Sequence, residues 1–178
     1  MTEHLSAHGP APVPVLETER VCLVAPDMAD FEAATALLMG PRAVFMHPKT
    51  SRQDVWLSFA SDVGGWILQG FGPWSVRRRV DGAIVGSIAI SKPPAFPEVE
   101  LGWHLYDGYE GEGYATEAAE AAREWAFGAR KLVTLVSYID PDNVASIRVA
   151  ERLGAAVDTD ANRPEPDDLV FRHARAAA

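Results

Sequence analysis

The segment EVELGWHLY, residues 98–106, alternates side chains able to carry a proton with apolar ones. Alternate residues of a β-strand point to the same face, so the predicted strand has one polar face and one apolar face. The polar face carries Glu98, Glu100, Gly102, His104 and Tyr106. A carboxylate or imidazole placed there could accept a proton from a nucleophile, or it could simply be solvated.

A glycine turn follows this strand directly, in YEGEGYATEAAEAAREWAF at residues 109–127. A turn that opens a helix presents unpaired backbone N–H groups beside the positive end of the helix dipole, which suits a phosphate or pyrophosphate. Gly111 and Gly113 would let an anion approach where a Cβ would block it. A dinucleotide fold would want a third glycine where Thr116 stands, and the Gly-Lys-Ser/Thr of a P-loop is absent. A plain helix-start turn is the alternative.

The secondary structure around these two segments is predicted from hydrophobic periodicity, helix-capping residues and turn dipeptides. We expect a strand at VCLVA, a helix capped by Asp27, and a helix over about 52–68 that Gly64-Gly65 weakens at its end. Asp81-Gly82 predicts a hairpin, and LVTLVSYI predicts a buried strand. DPDNVASIRVAERLG predicts a capped helix ending at Gly154, and DLVFRHA a last strand.

Composition narrows the function classes. The 178 residues are one domain's worth, 48% of them hydrophobic, and their net charge of −9 disfavours nucleic acid and anionic membranes as partners. The run Arg77-Arg78-Arg79 is interpreted as a solvated edge, and the lone Cys22 as a small buried hydrophobe. Without a signal-like start or an apolar run long enough to span a bilayer, we expect a cytoplasmic protein.

The order of strand, glycine turn, alanine-rich helix, strand and capped helix from Glu98 to Ala155 resembles the GNAT superfamily of N-acyltransferases. It looks most like the subgroup of ribosomal-protein alanine N-acetyltransferases, whose start the segment LETERVCLVAPDMADFEAA also resembles. The resemblance implies an α/β (α+β) GNAT fold, a twisted, mixed, mostly antiparallel sheet of about six to seven strands flanked by helices. Residues 16–178 would be a single domain after a flexible lead-in at 1–15.

The resemblance also implies acetyl-CoA as co-substrate. The family's pyrophosphate motif, Gln/Arg-x-x-Gly-x-Gly/Ala, falls on residues 108–113, with Gly108 departing from the pattern at the Gln/Arg position. The residues expected to hold acetyl-CoA are Gly111, Glu112, Gly113, Tyr114, Ala115, Thr116 and Asn143, together with the strand backbone at Trp103, His104 and Leu105. Asn143 could equally be a helix cap, and Glu110 and Glu112 add negative charge beside the expected anion.

For catalysis the resemblance assigns Glu100 as general base, with His104 as the alternative. Many relatives protonate the leaving thiolate with a tyrosine, but that position is Ala150 here. Ser146, Tyr106 or water would have to act instead, and Ser146 could also be an ordinary helix residue. No histidine spacing suggests a metal site.

The acceptor is left open between a protein N-terminal α-amine and a small-molecule amine, aminoglycosides included. Deprotonation at pH 7 costs about 1 kcal/mol for an α-amine and roughly 4 to 5 kcal/mol for a lysine. The alternative from another class is a non-catalytic acyl-CoA-binding sensor or scaffold, and a homodimer is possible. The aromatic segment WILQGFGPW, with Phe45 and Met46, could wall an acceptor pocket or belong to the core.

Overall fold

The computed structural model describes residues 12–175, which form eight strands, four α-helices and one 3₁₀ helix. The strands are β1 (Leu16–Glu17), β2 (Val21–Val24), β3 (Pro73–Arg78), β4 (Ile84–Ser91), β5 (Glu100–Leu105), β6 (Val136–Ile139), β7 (Ala156–Val157) and β8 (Leu169–Arg172). The helices are α1 (Met28–Leu38), α2 (Arg52–Leu68), α3 (Tyr114–Phe127) and α4 (Val144–Arg152), and the 3₁₀ helix is Pro41–Phe45.

All eight strands belong to one sheet in the order β1-β2-β3-β4-β5-β6-β8-β7. Every neighbouring pair is antiparallel except β5 and β6, which are parallel because the α3 crossover joins them. The predicted mixed, mostly antiparallel fold is confirmed. The strand number exceeds the expected six to seven because two-residue strands, β1 and β7, lie at the sheet's edges.

Large apolar side chains fill the face of the sheet that α3 covers. The α3 alanines 118, 119, 122 and 126 are fully buried, and their small side chains let the helix backbone approach the sheet closely. Trp66, Trp74 and Trp125 meet edge to face in the same core, with ring centroids 4.6–5.7 Å apart. Three members of the segment WILQGFGPW, namely Trp66, Phe71 and Trp74, are core residues, as the second interpretation held.

The opposite face of the sheet carries small side chains and lies beneath α1 and α2. Asp27 caps α1 as predicted, because its Oδ1 accepts from the Ala29 N–H at 2.7 Å while Asp30 Oδ2 accepts from the Asp27 N–H at 2.9 Å. Helix α2 continues through its two glycines to Leu68. A Cβ at Gly65 would lie 2.9 Å from Phe71 O, so glycine there allows the chain after the helix to fold back against it.

Three further predictions concern the hairpin, the strand before α4 and the N-terminal segment. The hairpin at Asp81-Gly82 is present, closed by a 2.8 Å bond from the Arg78 N–H to Ala83 O. The segment predicted as one strand at 132–139 is a strand only from Val136, and ahead of it the Thr134 hydroxyl donates to Glu98 Oε2 at 2.6 Å. Of the expected lead-in at 1–15, residues 1–11 lie outside the described residues, and Pro14 O accepts from Trp74 Nε1 at 2.8 Å.

The arginine run does not lie on an edge strand, since β3 pairs with both β2 and β4, and Cys22 is half-buried where full burial was expected. Arg77 pairs with Asp30 and Asp27, and Arg78 pairs with Asp81. Burial raises the pKa of the Cys22 thiol, which disfavours the nucleophilic thiolate. Within residues 12–175, no helix is both long and apolar enough to cross a bilayer.

Candidate active site

Strands β5 and β6 pair at a single position, Glu100 opposite Val136, and no further pairing joins them within the described residues. The Tyr106 N–H donates to Val85 O on β4, at 2.9 Å. Because strand N–H groups alternate in direction, the N–H groups of Trp103 and Leu105 point to the other edge, toward the gap beside β6. These two N–H groups, part of the strand backbone expected to hold acetyl-CoA, therefore face an opening in the sheet.

The glycine loop follows this opening and leads into α3. Gly108, Gly111 and Gly113 have φ values of +85°, +82° and +84°, a left-handed conformation that side chains with a Cβ rarely adopt. Gly113 precedes α3 and provides no side-chain cap. In the part of the chain that the structure describes, no hydrogen bond uses the N–H groups of residues 111–116, so the loop can offer them to an anion.

An ion pair that the sequence did not reveal anchors this loop to β2. Arg20 contacts Glu117 through Nε and NH2, at 2.7 and 2.6 Å, and its NH1 donates to Glu112 O at 2.8 Å. The Thr18 hydroxyl donates to the same carboxylate at 2.6 Å. These contacts join residues almost a hundred positions apart, which is why no local pattern could predict them. They fix the first turn of α3 and bring a guanidinium beside the loop.

The carboxylates of Glu110 and Glu112 do not place an unpaired, unscreened negative charge beside the glycine loop. Glu110 forms an ion pair with Arg42, and its Oε2 accepts from the Gly108 N–H at 2.9 Å. Glu112 is exposed to solvent, where its charge is screened. The expected conflict with a bound anion is therefore reduced.

A cavity of about 480 Å³ opens between the glycine loop, the end of β5 and helix α4, and we call it the loop cavity. Predicted residues that line it are Trp103, His104, Leu105, Gly111, Gly113, Ala115, Thr116, Asn143 and Ser146. Arg42, Arg148 and Arg152 also line it and bring three guanidinium groups. Thr116 Oγ1 is buried there without a hydrogen-bond partner among the described residues.

Two predicted cofactor residues take other positions, and a third has a second contact. The Tyr114 side chain is buried in the core with the Arg20 guanidinium over its ring, so only its backbone could contact a phosphate. Glu112 lies on the outer side of the loop. Asn143 lines the loop cavity but also caps α4, because its Oδ1 accepts from the Ser146 N–H at 3.1 Å.

A second cavity of about 360 Å³ lies between the sheet and helices α1 and α2, and we call it the sheet cavity. Glu100, Gly102, His104 and Tyr106 line it, as the alternation along β5 predicted. Met46, Trp103 and His104 line both cavities, so the two cavities meet at these residues. Glu100 therefore lies on one side of the junction and Ser146 on the other.

Burial shifts the two candidate bases in opposite directions. Burial raises the pKa of Glu100 to about 7, against smaller opposing effects from hydrogen bonds of the Tyr138 backbone and Ser91. No cation is among the groups that act on this pKa. Burial lowers the pKa of His104 to about 4, and its Nε2 is buried without a partner in the described structure. At neutral pH, Glu100 is therefore poised to exchange a proton while His104 is uncharged.

Comparison with known proteins shows the family. Residues 20–156 match the family described as Acetyltransferase (GNAT) domain, so the chain belongs to the GNAT acetyltransferases. The solved structure of an acetyltransferase from Agrobacterium tumefaciens str. C58 is 42% identical and superposes with a TM-score of 0.88, over 93% of this chain and 96% of that one.

Two further proteins are similar to this chain over different lengths. The ribosomal-protein-S5-alanine acetyltransferase from Vibrio fischeri is 18% identical, with a TM-score of 0.65 over 90% of this chain and 94% of that one, which shows a shared fold. The uncharacterized N-acetyltransferase YnaD from Bacillus subtilis (strain 168) is 32% identical over 43% of this chain and 45% of its own length. The chain thus matches less than half the length of the curated relatives.

GNAT acetyltransferases use acetyl-CoA, and the loop cavity fits that molecule. The left-handed glycines, the free N–H groups of residues 111–116 and the buried Thr116 hydroxyl form a cradle that a Cβ at Gly113 would narrow. Arg148 and Arg152 supply positive charge for phosphates. The predicted acyltransferase class and its co-substrate are confirmed.

Proposed function

We propose that this protein transfers an acetyl group to a primary amine, with Glu100 as the general base. The observation that carries the proposal is the position of Glu100, half-buried in the lining of the sheet cavity, with a pKa raised to about 7 and no cation acting on it. A base whose pKa lies near the operating pH combines a useful ionised fraction with driving force for proton transfer.

In this proposal, proton acceptance takes place in the sheet cavity and protonation of the thiolate takes place in the loop cavity. Bound acetyl-CoA supplies an acetyl group activated as a thioester. Glu100 holds the acceptor's ammonium and accepts its proton in the sheet cavity, while the N–H groups of Trp103 and Leu105 donate into the gap beside β6. Ser146 lines the loop cavity, where its hydroxyl can donate a proton to a departing thiolate. Ala150, at the position of the missing tyrosine, is fully buried and offers no donor.

The non-catalytic alternative is less well supported. A module that only binds acyl-CoA has no need for a buried carboxylate in a second cavity, because burying an uncompensated acidic group is costly. Glu100 is half-buried in the second cavity and desolvated enough to raise its pKa to about 7, and the chain belongs to a family of acetyltransferases. These two observations support the enzyme over the sensor.

The test replaces Glu100 with glutamine and measures acetylated amine by mass spectrometry alongside acetyl-CoA binding. Loss of a general base lowers kcat/KM by about 10²- to 10⁴-fold, while acetyl-CoA still raises the thermal midpoint. The matched control is Glu151→Gln, at an exposed position on α4. Full activity in Glu100→Gln would refute this base assignment.

A further inference from the structure

We propose that the acceptor is a small primary amine with an apolar body, bound whole in the sheet cavity, and not the amino terminus of a protein. The inference rests on the proposed acetyl transfer and adds the class of acceptor. It is carried by the shape of the cavity, the chemistry of its walls and the pairing of its charged groups.

The floor of the sheet cavity is built from small side chains. Residues of β3, β4 and β5 that point to the α3 side are large and fully buried, among them Trp74, Ile88 and Leu101. Among the residues that alternate with them on the cavity side, five are small: Ser75, Ser87, Ala89, Ser91 and Gly102. This contrast leaves space under α1 and α2, and the volume of about 360 Å³ is at the low end of the roughly 300–1,000 Å³ found for small-molecule pockets.

The walls of the cavity are mainly apolar. Ala34 and Leu38 of α1, Phe59 of α2, Met46 and Phe96 line it. A peptide's amide groups would be desolvated against such walls and would need hydrogen-bond partners. The floor has few donors to spare, because the Ser75 hydroxyl donates to Asp30 and the Ser87 hydroxyl donates to Trp74 O.

The charged groups in the lining point to a single bound ammonium. Asp30 accepts a hydrogen bond from the Ser75 hydroxyl and forms an ion pair with Arg77. Burial raises the pKa of Asp62, and the positive charge of Lys49 offsets part of that rise. Glu100 has no such cation. An amine in the cavity would be the first positive charge to reach this carboxylate.

His104 provides a second, independent sign of a ligand. Its Nε2 is buried and unpartnered among the described residues, at the junction of the two cavities. Buried polar atoms in proteins nearly always have a partner. A neutral imidazole at this position can form a hydrogen bond with an amine N–H in the bound complex.

The first experiment compares three acceptors with the full-length protein and acetyl-CoA: ethylamine, phenethylamine, and an amidated, lysine-free hexapeptide beginning with alanine. We expect kcat/KM for phenethylamine to exceed that for the hexapeptide by about 10-fold or more, because the apolar walls bind the ring and exclude the peptide. Phenethylamine alone should also raise the thermal midpoint, a readout that needs no turnover.

The second experiment narrows the floor with Gly102→Val. A Cβ at Gly102 would meet only the Glu100 carboxyl, at 3.8 Å, so the strand accepts the side chain and the cavity loses volume. We expect KM for phenethylamine to rise by about 10-fold or more, with a much smaller change for ethylamine. Gly64→Val is the control, because a Cβ there would have no neighbour within 4 Å and the position lies outside the cavity lining.

The outcomes separate this inference from the proposed function. A hexapeptide acetylated better than both small amines, or equal losses for both amines in Gly102→Val, would overturn the small-amine inference and leave acetyl transfer standing. Absence of product from all three acceptors, with acetyl-CoA still bound, would overturn both.

Discussion

Glu100 and His104 lie on the same face of β5, and burial moves their pKa values past each other, to about 7 for the carboxyl and about 4 for the imidazole. Between these two values both side chains are uncharged. Above about pH 7 the carboxylate forms while the imidazole stays neutral. This difference suits the two roles that we propose, proton acceptance by Glu100 and neutral hydrogen bonding by His104.

The first prediction concerns His104. His104→Asn should lower kcat/KM without moving the midpoint of the pH profile near 7, because the imidazole is a positioning group and its pKa of about 4 makes it a weak base. The pH dependence of kcat/KM in the variant checks this. If the pH profile loses its midpoint in His104→Asn but keeps it in Glu100→Gln, then His104 is the base and Glu100 is not.

The second prediction concerns the glycine loop. Gly113→Val should abolish the thermal shift by acetyl-CoA, because φ is +84° and the new side chain would meet both Arg20 and the anion. The backbone strain alone costs about 1 to 2 kcal/mol.

Gly82→Val separates strain from binding. Gly82 has φ of +72° in the β3–β4 hairpin, with no atom within 4 Å of its Cβ position and no place in the loop cavity. This variant should be destabilised to a similar extent and still respond to acetyl-CoA. Equal responses in the two variants would mean that the loop does not hold the anion.

The third prediction concerns the proton returned to the thiolate. Ser146→Ala should lower kcat by about 10-fold or more, because proton donation from a positioned group is lost, while acetyl-CoA binding is retained. Ser146→Thr keeps a hydroxyl and should recover much of the rate. If alanine and threonine variants are equally active, solvent supplies the proton.

The fourth prediction concerns stability in acid. Burial lowers the pKa of His173 to about 4, and its Nε2 lies 2.9 Å from Ser137 Oγ. The folded pKa is below the unfolded value of about 6.5, so this contribution to the free energy of unfolding is complete above pH 6.5 and is lost as the pH falls toward 4, by up to about 3 kcal/mol.

His173→Leu isolates that contribution. Glu100 acts with the opposite sign, since its raised pKa favours the folded state below about pH 4.5 and that stabilisation is lost as the pH rises through 7. The informative quantity is therefore the difference in unfolding free energy between the wild type and His173→Leu, measured by urea denaturation from pH 4 to 7.5. A difference that does not vary with pH would contradict the buried neutral histidine.

Local signals predicted much of the fold. The caps at Asp27 and Asn143, the Asp81-Gly82 turn and the alternation along β5 act through neighbours in sequence, and each was found where expected. The glycine loop was likewise recognisable, because its unusual backbone requires glycine.

Long-range contacts were not predictable. The contact of Arg20 with Glu117, and that of Arg42 with Glu110, join segments that the sheet brings together, so neither leaves a local pattern. The sheet cavity was hidden for a similar reason. It results from small residues on three separate strands, and a serine or alanine in a strand does not by itself indicate a cavity.

The most direct test of Glu100 as the general base is the pH dependence of kcat/KM for a weakly basic amine. A suitable amine is 2,2,2-trifluoroethylamine, which is already deprotonated near neutral pH. Because this amine does not titrate in the range measured, the wild-type kcat/KM should rise with pH through a midpoint near 7, as the Glu100 carboxylate forms. In Glu100→Gln the rise should be absent. A wild-type profile flat across this range, or an unchanged rise in Glu100→Gln, would contradict Glu100 as the base.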